Sequence, residues 1–310
     1  MHLNEELVSV IVLSYGPGKY YQRTLLSVLA QTYPAIDLIV SDDGSLTFQM
    51  EETESFIRQN MGSNVKRLLV RKNKHNLGIS KHDNLAASLA KGKYIKFIAD
   101  GDVFCTEHSL CELHEFACNH QEWIITSPCI ICNEDMTVDY YQHPSAGRIK
   151  RLNHQPLASL HEALVINNFI SAVGCIFRRE FFEQGGFDER YRYLEDWPTW
   201  LKTIRNGERI PCSNIPSERY ALSGISSAYA TAFESPRLRK DLMLCYEKEI
   251  IPNAIQLPWL KQYFVQYRYL MLKNQLTTVQ KIKFIPLILY YKGKALMKKL
   301  LFIYKQGGKR

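Results

Sequence analysis

Two carboxylates in this sequence are spaced as a single metal ion would require. Asp100 and Asp102 flank Gly101 directly after the strand-like run 93–99. Residues two apart in an extended segment point to the same side, and the intervening glycine allows a ligand to approach the backbone. Such a pair suits Mg²⁺ or Mn²⁺, which completes its oxygen shell with water and a substrate's phosphates. An ordinary Asp-Gly-Asp turn is the alternative interpretation, because both residue types are common in turns.

A second acidic turn, Asp42-Asp43-Gly44-Ser45, follows the apolar run Asp37–Val40. One of its side chains would cap the helix that comes next. Capping needs only one of them, so the other carboxylate would be free to accept a hydrogen bond from a base N–H such as N3 of uracil. This turn therefore predicts a nucleotide contact, with capping alone as the alternative.

A third pair of carboxylates, Glu195 and Asp196, precedes Trp197 and Pro198. Pro198 fits the first turn of a helix, which places Asp196 near the N-cap and gives it a structural role as one interpretation. Trp197 and Trp200 are three residues apart and share a helix face. They would either stack on a sugar or pack in the core.

Alternating strand and helix patterns must position these residues. Apolar, β-branched runs predict strands and periodic segments predict helices, in the order strand 8–13, helix 20–32, strand 37–40, helix 47–60, strand 65–70, helix 81–90, strand 94–99, helix 107–119 and strand 123–126. This alternation indicates an α/β fold with a parallel sheet, in which ligands bind beyond the carboxyl ends of the strands. Tyr15 follows the first strand at the same edge, as a base-stacking residue or a packed turn aromatic.

The second half of this region is less regular. Residues 128–170 show no clear period, and we expect variable substrate loops there. Residues 171–179 predict a strand, and a helix begins near Pro198.

Composition limits the alternatives. The chain has 310 residues, of which 46% are hydrophobic, enough for one large core. The polar start 1–6 lacks the basic and apolar regions of a secretory signal, so we expect a cytoplasmic active site with reduced cysteines. Cys129 and Cys132 have zinc-ribbon spacing, and a helix would bring Cys111, His114 and Cys118 to one face. Buried thiols are the preferred interpretation, because no second Cys-x-x-Cys follows.

The net charge of +8 is concentrated in the last thirty residues. Residues 281–310 carry nine basic side chains and no acidic one, which leaves the rest of the chain at −1. The rest of the chain therefore lacks the net positive charge of a nucleic-acid-binding surface, and we expect no nucleic-acid partner. Lysines mixed with aromatic and aliphatic residues predict a basic amphipathic helix on an anionic membrane surface. A solvated or oligomer-forming helix is the alternative.

Over residues 7–207 the chain resembles family 2 glycosyltransferases of the GT-A fold. Six motifs occur in the family's order: Ser14-Tyr15, Asp42-Asp43-Gly44-Ser45, Asn76-x-Gly78, Asp100-x-Asp102, Gly185-Gly186-Phe187-Asp188-Glu189 and Glu195-Asp196. The resemblance implies a nucleotide-binding domain over 1–220, with a mostly parallel central sheet flanked by helices. A C-terminal helical region over 221–310 would carry the membrane-associating tail.

The resemblance also implies roles for individual residues. Tyr15 would stack on the base, Asp43 would contact the base edge, and Asp100 would lie at the ribose or metal. Asp102 would be the principal ligand of Mn²⁺ or Mg²⁺, and Asp196, or failing it Glu195, the general base. The remaining members of the expected nucleotide-sugar site are Ser14, Asp42, Lys81 and Gly101.

Three departures from the family pattern stand out. Gly16 and Asp83 occupy positions where many members have Asn and Arg. Lys81 would supply a phosphate-facing charge instead, although a solvated helix lysine is the simpler interpretation. The stretch 220–224 lacks the histidine that many members carry, so a third protein ligand for the metal is not identified.

The function implied by this resemblance is inverting, metal-dependent transfer of a sugar from a UDP- or dTDP-linked donor. The acceptor would be a saccharide, lipid-linked at the inner face of a bacterial membrane, in polysaccharide or lipopolysaccharide assembly. A sugar nucleotidyltransferase is the enzymatic rival, although 14–19 matches its glycine-rich, basic loop poorly. An inactive binding or scaffold protein is the other rival, and the intact carboxylates of all three turns argue against it.

Overall fold

The computed structural model describes residues 6–221, 236–287, 289–290 and 293. Its contacts divide the chain into two compact units, Met1–Asp241 and Leu242–Arg310. The sequence-based boundary at 220/221 stays a prediction.

Ten strands form two sheets in the first unit. They are β1 Val8–Ser14, β2 Ile36–Asp42, β3 Val65–Lys72, β4 Tyr94–Ala99, β5 Val103–Phe104, β6 Ile124–Ile125, β7 Cys129–Cys132, β8 Asp139–His143, β9 Ile176–Arg178 and β10 Glu218–Ala221. The larger sheet has the order β3-β2-β1-β4-β9-β6, with β1 to β4 parallel and β9 antiparallel to both neighbours. The smaller sheet has the order β5-β10-β7-β8.

Helices cover both faces of the larger sheet. Those of the first unit are α1 Tyr21–Leu29, α2 Met50–Asn60, α3 Ile79–Ala87, α4 Ser109–Cys118, α5 Ala146–His154, α6 Leu157–Ile166, α7 Arg179–Glu183, α8 Asp196–Arg205 and α9 Pro236–Cys245, the last of which runs across the division. Val10 and Val12 of β1 join the core formed with α1, α2 and α4, whereas Ile11 joins the core formed with α3. Successive residues of a strand point to opposite faces, so β1 needs apolar residues at nearly every position. The predicted α/β fold with a mostly parallel, helix-flanked sheet is confirmed.

The segment 128–170 is regular, so our expectation of variable loops there is wrong. It contains β7, β8, α5 and α6. Strand β7 is only four residues long and is paired in parallel with β10, almost ninety residues later in the chain. A strand defined by such distant pairing leaves no local period in the sequence.

The strand predicted over 171–179 is shorter than expected, because only Ile176–Arg178 is extended and paired. A turn precedes it, in which the Cys175 N–H donates to the Ala172 carbonyl at 3.0 Å. The backbone of Gly174 lies so close to Ser127 that a Cβ there would stand 1.8 Å from the Ser127 carbonyl oxygen. Tertiary contact has therefore overridden the β-branched local pattern.

A fully buried ion pair links the two sheets. Lys96 of β4 is paired with Glu218 of β10, and neither side chain is accessible to solvent. The Lys96 Nζ also donates to the carbonyls of Phe97 at 2.9 Å and Val173 at 2.5 Å. A buried ammonium needs such partners, because an unpaired charge in the interior is strongly unfavourable. The pair holds β10 beside the turn that follows β4.

The second unit is helical in its described part. It contains a π-helical turn at Tyr246–Ile250, α10 Ile251–Ala254, α11 Trp259–Lys273 and α12 Thr278–Lys283. Phe284 is buried against Tyr263 and Tyr267 of α11, with ring centroids 4.5 and 5.0 Å apart. Among the described helices, none is both long enough and apolar enough to cross a bilayer.

We expect Lys96→Met to destabilise the first unit by about 3–5 kcal/mol at pH 8, because Glu218 would then either carry an unpaired buried charge or keep a proton that it loses in the unfolded chain. Burial raises the pKa of Glu218 to about 7, and Lys96 limits that rise. The folded pKa lies above the unfolded one, so the native state binds more protons and the contribution of Glu218 to stability falls as pH rises. Without Lys96 the pKa of folded Glu218 rises further. At pH 5 Glu218 is then protonated and neutral, so the loss of stability should be much smaller there than at pH 8.

Urea denaturation at the two pH values measures this difference. Lys66→Met, which removes an exposed lysine of β3, is the matched control and should change stability little at either pH. An equal loss in Lys96→Met at pH 5 and pH 8 would contradict the role given to the ion pair.

Candidate active site

The acidic turns meet at one edge of the larger sheet. Strands β2, β1 and β4 are adjacent and parallel, with Ser14 opposite Asp42 and Leu13 opposite Ala99. The residues that follow these strands therefore emerge side by side at their carboxyl ends. This is the edge at which open α/β sheets bind ligands.

Tyr15 and Ser14 differ sharply in exposure. The Tyr15 side chain is 60% exposed, an unusual position for a large aromatic residue and one suited to stacking on a flat ligand. Ser14 is buried, and its hydroxyl donates to Asp42 Oδ2 at 3.0 Å. Ser14 thus connects β1 to the acidic turn after β2.

Asp42 holds that turn together. It is fully buried, and it accepts hydrogen bonds from the Ser45 N–H at 2.7 Å and the Ser45 hydroxyl at 2.8 Å, besides that of Ser14. The capping interpretation is wrong, because α2 begins only at Met50 and its N-cap residue Gln49 has no side-chain cap hydrogen bond. The Asp42 carboxylate instead stabilises the turn itself.

Asp43 is not the free acceptor that we expected. Its carboxylate accepts from the Asn73 side chain at 2.8 Å, the Leu77 N–H at 2.8 Å and the Gly78 N–H at 3.0 Å. A carboxylate has about four acceptor positions, so about one remains for a ligand. The expectation failed because these donors lie thirty or more residues away in the sequence, on a loop that the fold brings to Asp43.

Gly78 explains part of the Asn76-x-Gly78 motif. It has φ +87°, and a Cβ at this position would stand 2.3 Å from Arg192 Cγ. The Arg192 guanidinium donates to Asn76 Oδ1 at 2.7 Å, and the Ile79 N–H donates to the Arg192 carbonyl at 2.7 Å. The loop that binds Asp43 is therefore packed directly against the segment leading to Glu195 and Asp196.

Residues of α1 hold the turn between Asp100 and Asp102 in place. Gly101 has φ +97°, its N–H donates to Thr24 Oγ1 at 3.0 Å, and its carbonyl accepts from the Arg23 guanidinium at 2.9 Å. Asp100 Oδ2 accepts from the Gly18 N–H at 2.7 Å. These contacts fix both carboxylates at the edge of the sheet.

Each carboxylate of this turn is raised in pKa, mainly by burial. The pKa of Asp102 is well above its ordinary value through burial, and nearby Glu218 raises it further, although the Ala221 N–H donates to Oδ1 at 3.0 Å. Burial likewise raises the pKa of Asp100. The buried Asp100 Oδ1 has no hydrogen-bond partner among the described residues. An unpaired oxygen beside a second buried carboxylate fits a hard divalent cation, which would satisfy both.

The third carboxylate pair begins α8. Asp196 Oδ1 accepts from the Trp197 N–H at 2.6 Å, and Oδ2 accepts from the Asn168 side-chain amide at 2.7 Å. Burial raises the pKa of Glu195 well above its usual range, and Asp196, Asp83 and Asp241 raise it further. Burial also raises the pKa of Asp196, whereas the hydrogen bonds from Trp197 and Asn168 lower it.

Asp83 links the turn that carries Asp43 to this pair electrostatically. It is buried on α3, its pKa is raised well above the ordinary value by burial, and Asp43 raises it further. Asp83 in turn raises the pKa of Glu195. Lys81 lies exposed in the first turn of the same helix.

The expectation that Trp197 and Trp200 stack on a sugar is wrong. They are only 4% and 0% exposed, so neither presents a face to a ligand. Trp197 Nε1 donates to the Leu164 carbonyl of α6 at 2.9 Å, and the Trp200 ring stacks on Phe177. The face that they share is the one by which α8 packs onto the core.

Three supporting residues escaped the sequence analysis: Arg23, Asn168 and Arg192. Their partners Gly101, Asp196 and Asn76 are 78, 28 and 116 positions away in the chain. A single sequence carries no signal for such pairings, because neither spacing nor periodicity connects residues in different elements.

The cysteines do not form the zinc arrangements weighed above. Cys129 Sγ contacts Ser171 Oγ at 3.3 Å and Cys132 Sγ contacts Asp139 Oδ1 at 3.1 Å, and residues three apart on a strand point to opposite faces. Cys111 contacts Thr32 instead of joining His114.

In the described chain, one group of three ligand-type side chains lies close together, namely Glu6, His114 and Cys118. Glu6 is already paired with Lys93 at 2.8 Å, and His114 Nε2 lies 3.2 Å from the Glu6 carboxylate. A lysine at one of the ligands disfavours a cation there, and the group is explained as a hydrogen-bonded link between the N-terminal segment and α4.

Two curated relatives are similar to part of this chain. An uncharacterized glycosyltransferase of Haemophilus influenzae is 27% identical over 215 residues, which is 66% of this chain and 62% of the relative. WfaP of Escherichia coli, named a UDP-Glc:α-D-GlcNAc-diphosphoundecaprenol β-1,3-glucosyltransferase, is 32% identical over 35% of this chain and 41% of its own length. The matched part thus spans less than two thirds of either relative.

Two solved structures share the fold. Residues 1–349 of S. aureus TarS in complex with UDP-GlcNAc align over 97% of this chain and 92% of that one, with a TM-score of 0.58 and 18% identity. The mannosyltransferase PcManGT of Pyrobaculum calidifontis, in complex with GDP-Man and Mn²⁺, aligns over 96% and 83%, with a TM-score of 0.59 and 15% identity.

The family model for glycosyl transferase family 2 matches residues 9–186, more than half of the chain and all the elements from β1 to α7. This range includes the turns that carry Tyr15, Asp43 and Asp102. With this match, the chain belongs to glycosyl transferase family 2.

Proposed function

We propose that this protein is an inverting glycosyltransferase that moves a sugar from a UDP- or dTDP-linked donor to a hydroxyl of a saccharide acceptor. The observation that carries the proposal is the common edge of β2, β1 and β4. There an exposed aromatic ring, a carboxylate with one acceptor position left and a buried carboxylate pair lie on neighbouring strand ends. These are the groups that a base, a ribose and a diphosphate require.

The nucleotide would lie along this edge. Tyr15 provides the exposed ring for the base, and Asp43 provides an acceptor for a base N–H. Lys81, exposed at the start of α3, would face the phosphates. Two structural neighbours, one in complex with UDP-GlcNAc and the other with GDP-Man, support a nucleotide-sugar donor.

Asp102 and Asp100 would hold Mn²⁺ or Mg²⁺. The unpaired Asp100 Oδ1 and the burial of both carboxylates support this assignment, as does the Mn²⁺ named for PcManGT. When bound, such an ion neutralises the negative charge of the diphosphate that leaves the sugar. Arg23 and Thr24 keep the turn in place through Gly101.

Asp196 would act as the general base. The acceptor hydroxyl oxygen forms a bond to C1 of the sugar as its proton passes to Asp196, while the bond from C1 to the diphosphate breaks and the nucleoside diphosphate leaves with the electron pair. Attack from the face opposite the leaving group inverts C1. Two hydrogen-bond donors favour the ionised form of Asp196, whereas the more strongly raised pKa of Glu195 favours its protonated form.

The enzymatic rival is disfavoured by the loop after β1. A nucleotidyltransferase would use the backbone N–H groups of this loop to cradle phosphates. The Gly18 N–H instead donates to Asp100 Oδ2 at 2.7 Å and the loop leads directly into α1.

A lipid-linked acceptor would bring the enzyme to an anionic membrane surface at the cytoplasmic side. The name of WfaP, a relative whose acceptor is a diphosphoundecaprenol-linked sugar, supports such an acceptor in cell-surface polysaccharide synthesis. In the second unit, large apolar side chains are mostly exposed at Val279, Ile282, Ile285 and Leu289. Val279 and Ile282 lie on α12, and Ile285 and Leu289 follow after its last residue, Lys283. We name these four exposed residues the apolar stripe, and Lys281 and Lys283 lie beside it in the sequence. Most of the basic tail, 294–310, lies outside the described residues.

Asp102→Asn should weaken Mn²⁺-dependent UDP binding at least tenfold, because the amide keeps an acceptor for the Ala221 N–H but loses the charge that holds the ion. Titration calorimetry with and without Mn²⁺ measures the effect. Glu51→Ala, which removes an exposed carboxylate of α2, should bind as the wild type does. Equal affinity in Asp102→Asn would show that the motif is only a turn.

Asp196→Asn should slow sugar transfer at least about a hundredfold while leaving fold and donor affinity intact. Asn accepts the Trp197 N–H as Asp does and caps helices about as well, but it cannot take a proton. Initial rates of nucleoside diphosphate release on a nucleotide-sugar panel provide the measurement. Glu195→Gln is the matched variant; if it alone loses activity, the base is Glu195. Full activity in both variants would refute the proposed mechanism.

Ile282→Glu with Leu289→Glu should release the full-length protein from phosphatidylglycerol vesicles, because two charges would then interrupt the apolar stripe. Ile215→Glu, at an exposed apolar residue of the first unit, should pellet as the wild type does. UDP affinity should be the same in all three proteins. Sedimentation with anionic and with neutral vesicles tests this, and equal pelleting of every variant would refute the membrane role of the stripe.

A further inference from the structure

Helix α6 ends beside the start of α8, and one hydrogen bond fixes this arrangement. The Trp197 indole N–H donates to the Leu164 carbonyl at 2.9 Å inside the core. Because α6 ends at Ile166, this bond brings the residues just after α6 next to the first turn of α8. Asn168 is the side chain that reaches the carboxylate there.

Asn168 is held in one orientation by the backbone N–H of Ile170. Its Oδ1 accepts from the Ile170 N–H at 3.3 Å, which leaves the amide nitrogen to point away from that turn. The amide nitrogen donates to Asp196 Oδ2 at 2.7 Å. The other oxygen of Asp196 accepts from the Trp197 N–H at 2.6 Å. Both oxygens therefore have a donor, and neither donor can take the proton from an acceptor hydroxyl.

The groups around Asp196 make the hydrogen bond from the Asn168 amide important. Among the described residues, four titratable groups act on Asp196 or on its neighbour: Glu195 itself, Asp83 of α3 and Asp241 of α9, both of which act on Glu195, and the Cys175 thiol ahead of β9. All four are acids, so each becomes neutral or negative. Hydrogen bonds to a carboxylate favour its charged form, and the start of a helix does so as well. Asn168 supplies the contact of this kind that comes from outside α8.

We propose that Asn168 is a positioning residue for the general base, holding the Asp196 carboxylate in a single orientation and in its ionised form. The proposal rests on the role given to Asp196 in the proposed function. Asn168 itself does not touch the reacting atoms. Its effect should therefore appear in the pH dependence of transfer and not in donor binding.

Asn168→Asp is the informative variant, since it is nearly isosteric but replaces the donor with a second carboxylate. Two carboxylates at this distance cannot both ionise readily, so the pKa of the pair rises and the base is protonated at higher pH. The acidic limb of the kcat/KM profile should move up by at least one pH unit, and UDP affinity should stay within twofold of the wild type. In Asn168→Ser, which keeps a short donor, the acidic limb should lie between that of the wild type and that of Asn168→Asp.

Asn119→Asp is the matched control, because it makes the same chemical change at an exposed residue after α4. Its acidic limb should coincide with that of the wild type. An unshifted limb in a folded Asn168→Asp protein would overturn the proposal.

A second measurement does not depend on transfer. Carboxyl ¹³C NMR titration, with the Asp196 signal assigned by its loss in Asp196→Asn, should show a raised pKa in Asn168→Asp. An unchanged pKa would overturn the proposal even if no donor sugar were found. Absence of transfer from every nucleotide-sugar in the wild type, together with a raised pKa, would instead count against the proposed function and leave the link between Asn168 and Asp196 supported.

Discussion

The arrangement of this molecule depends on a pair of opposite charges that have no access to solvent. Lys96 belongs to the larger sheet and Glu218 to the smaller one, and neither charge is tolerable in the interior without the other. This requirement fixes β10 against the strand whose end carries Asp102. The N–H of Ala221, at the end of β10, then reaches the Asp102 carboxylate. The position of Asp102, the candidate metal ligand, therefore depends on the ion pair between Lys96 of β4 and Glu218 of β10.

The edge that carries the candidate site is built almost entirely from acids, and the fold compensates for their mutual repulsion with backbone N–H donors. Asp42, Asp43, Asp100, Asp102 and Asp196 each accept at least one such bond. Most of these donors come from turns that glycine makes possible, as at Gly78 with φ +87°. Hydrogen bonds from neutral groups orient the carboxylates without cancelling their charge, which leaves them able to bind a cation or accept a proton. Membership in glycosyl transferase family 2 agrees with such a site.

Core packing and the proposed general base are joined most closely at α8. Trp197 was expected at the ligand surface, but its burial against α6 is what brings Asn168 to Asp196. A residue that lies in the core therefore affects the geometry of the proposed base. Similarly, the Asn76-x-Gly78 motif contacts both Asp43 and Arg192 and so connects the turn after β2 to the segment before α8.

The sequence by itself determined the α/β class, the order of the first strands and helices, and the edge at which Tyr15, Asp43, Asp100 and Asp102 lie. These features follow from local patterns, because the spacing of apolar residues and the turn residues both involve positions close together in the sequence. Only the tertiary structure decided that residues 128–170 form β7, β8, α5 and α6, that the tryptophans of α8 are buried, and that Asp43 is already bonded to a distant loop. Those outcomes depend on pairings between residues far apart in the chain, and such pairings gain their free energy from burial and hydrogen bonding that exist only once the chain has folded.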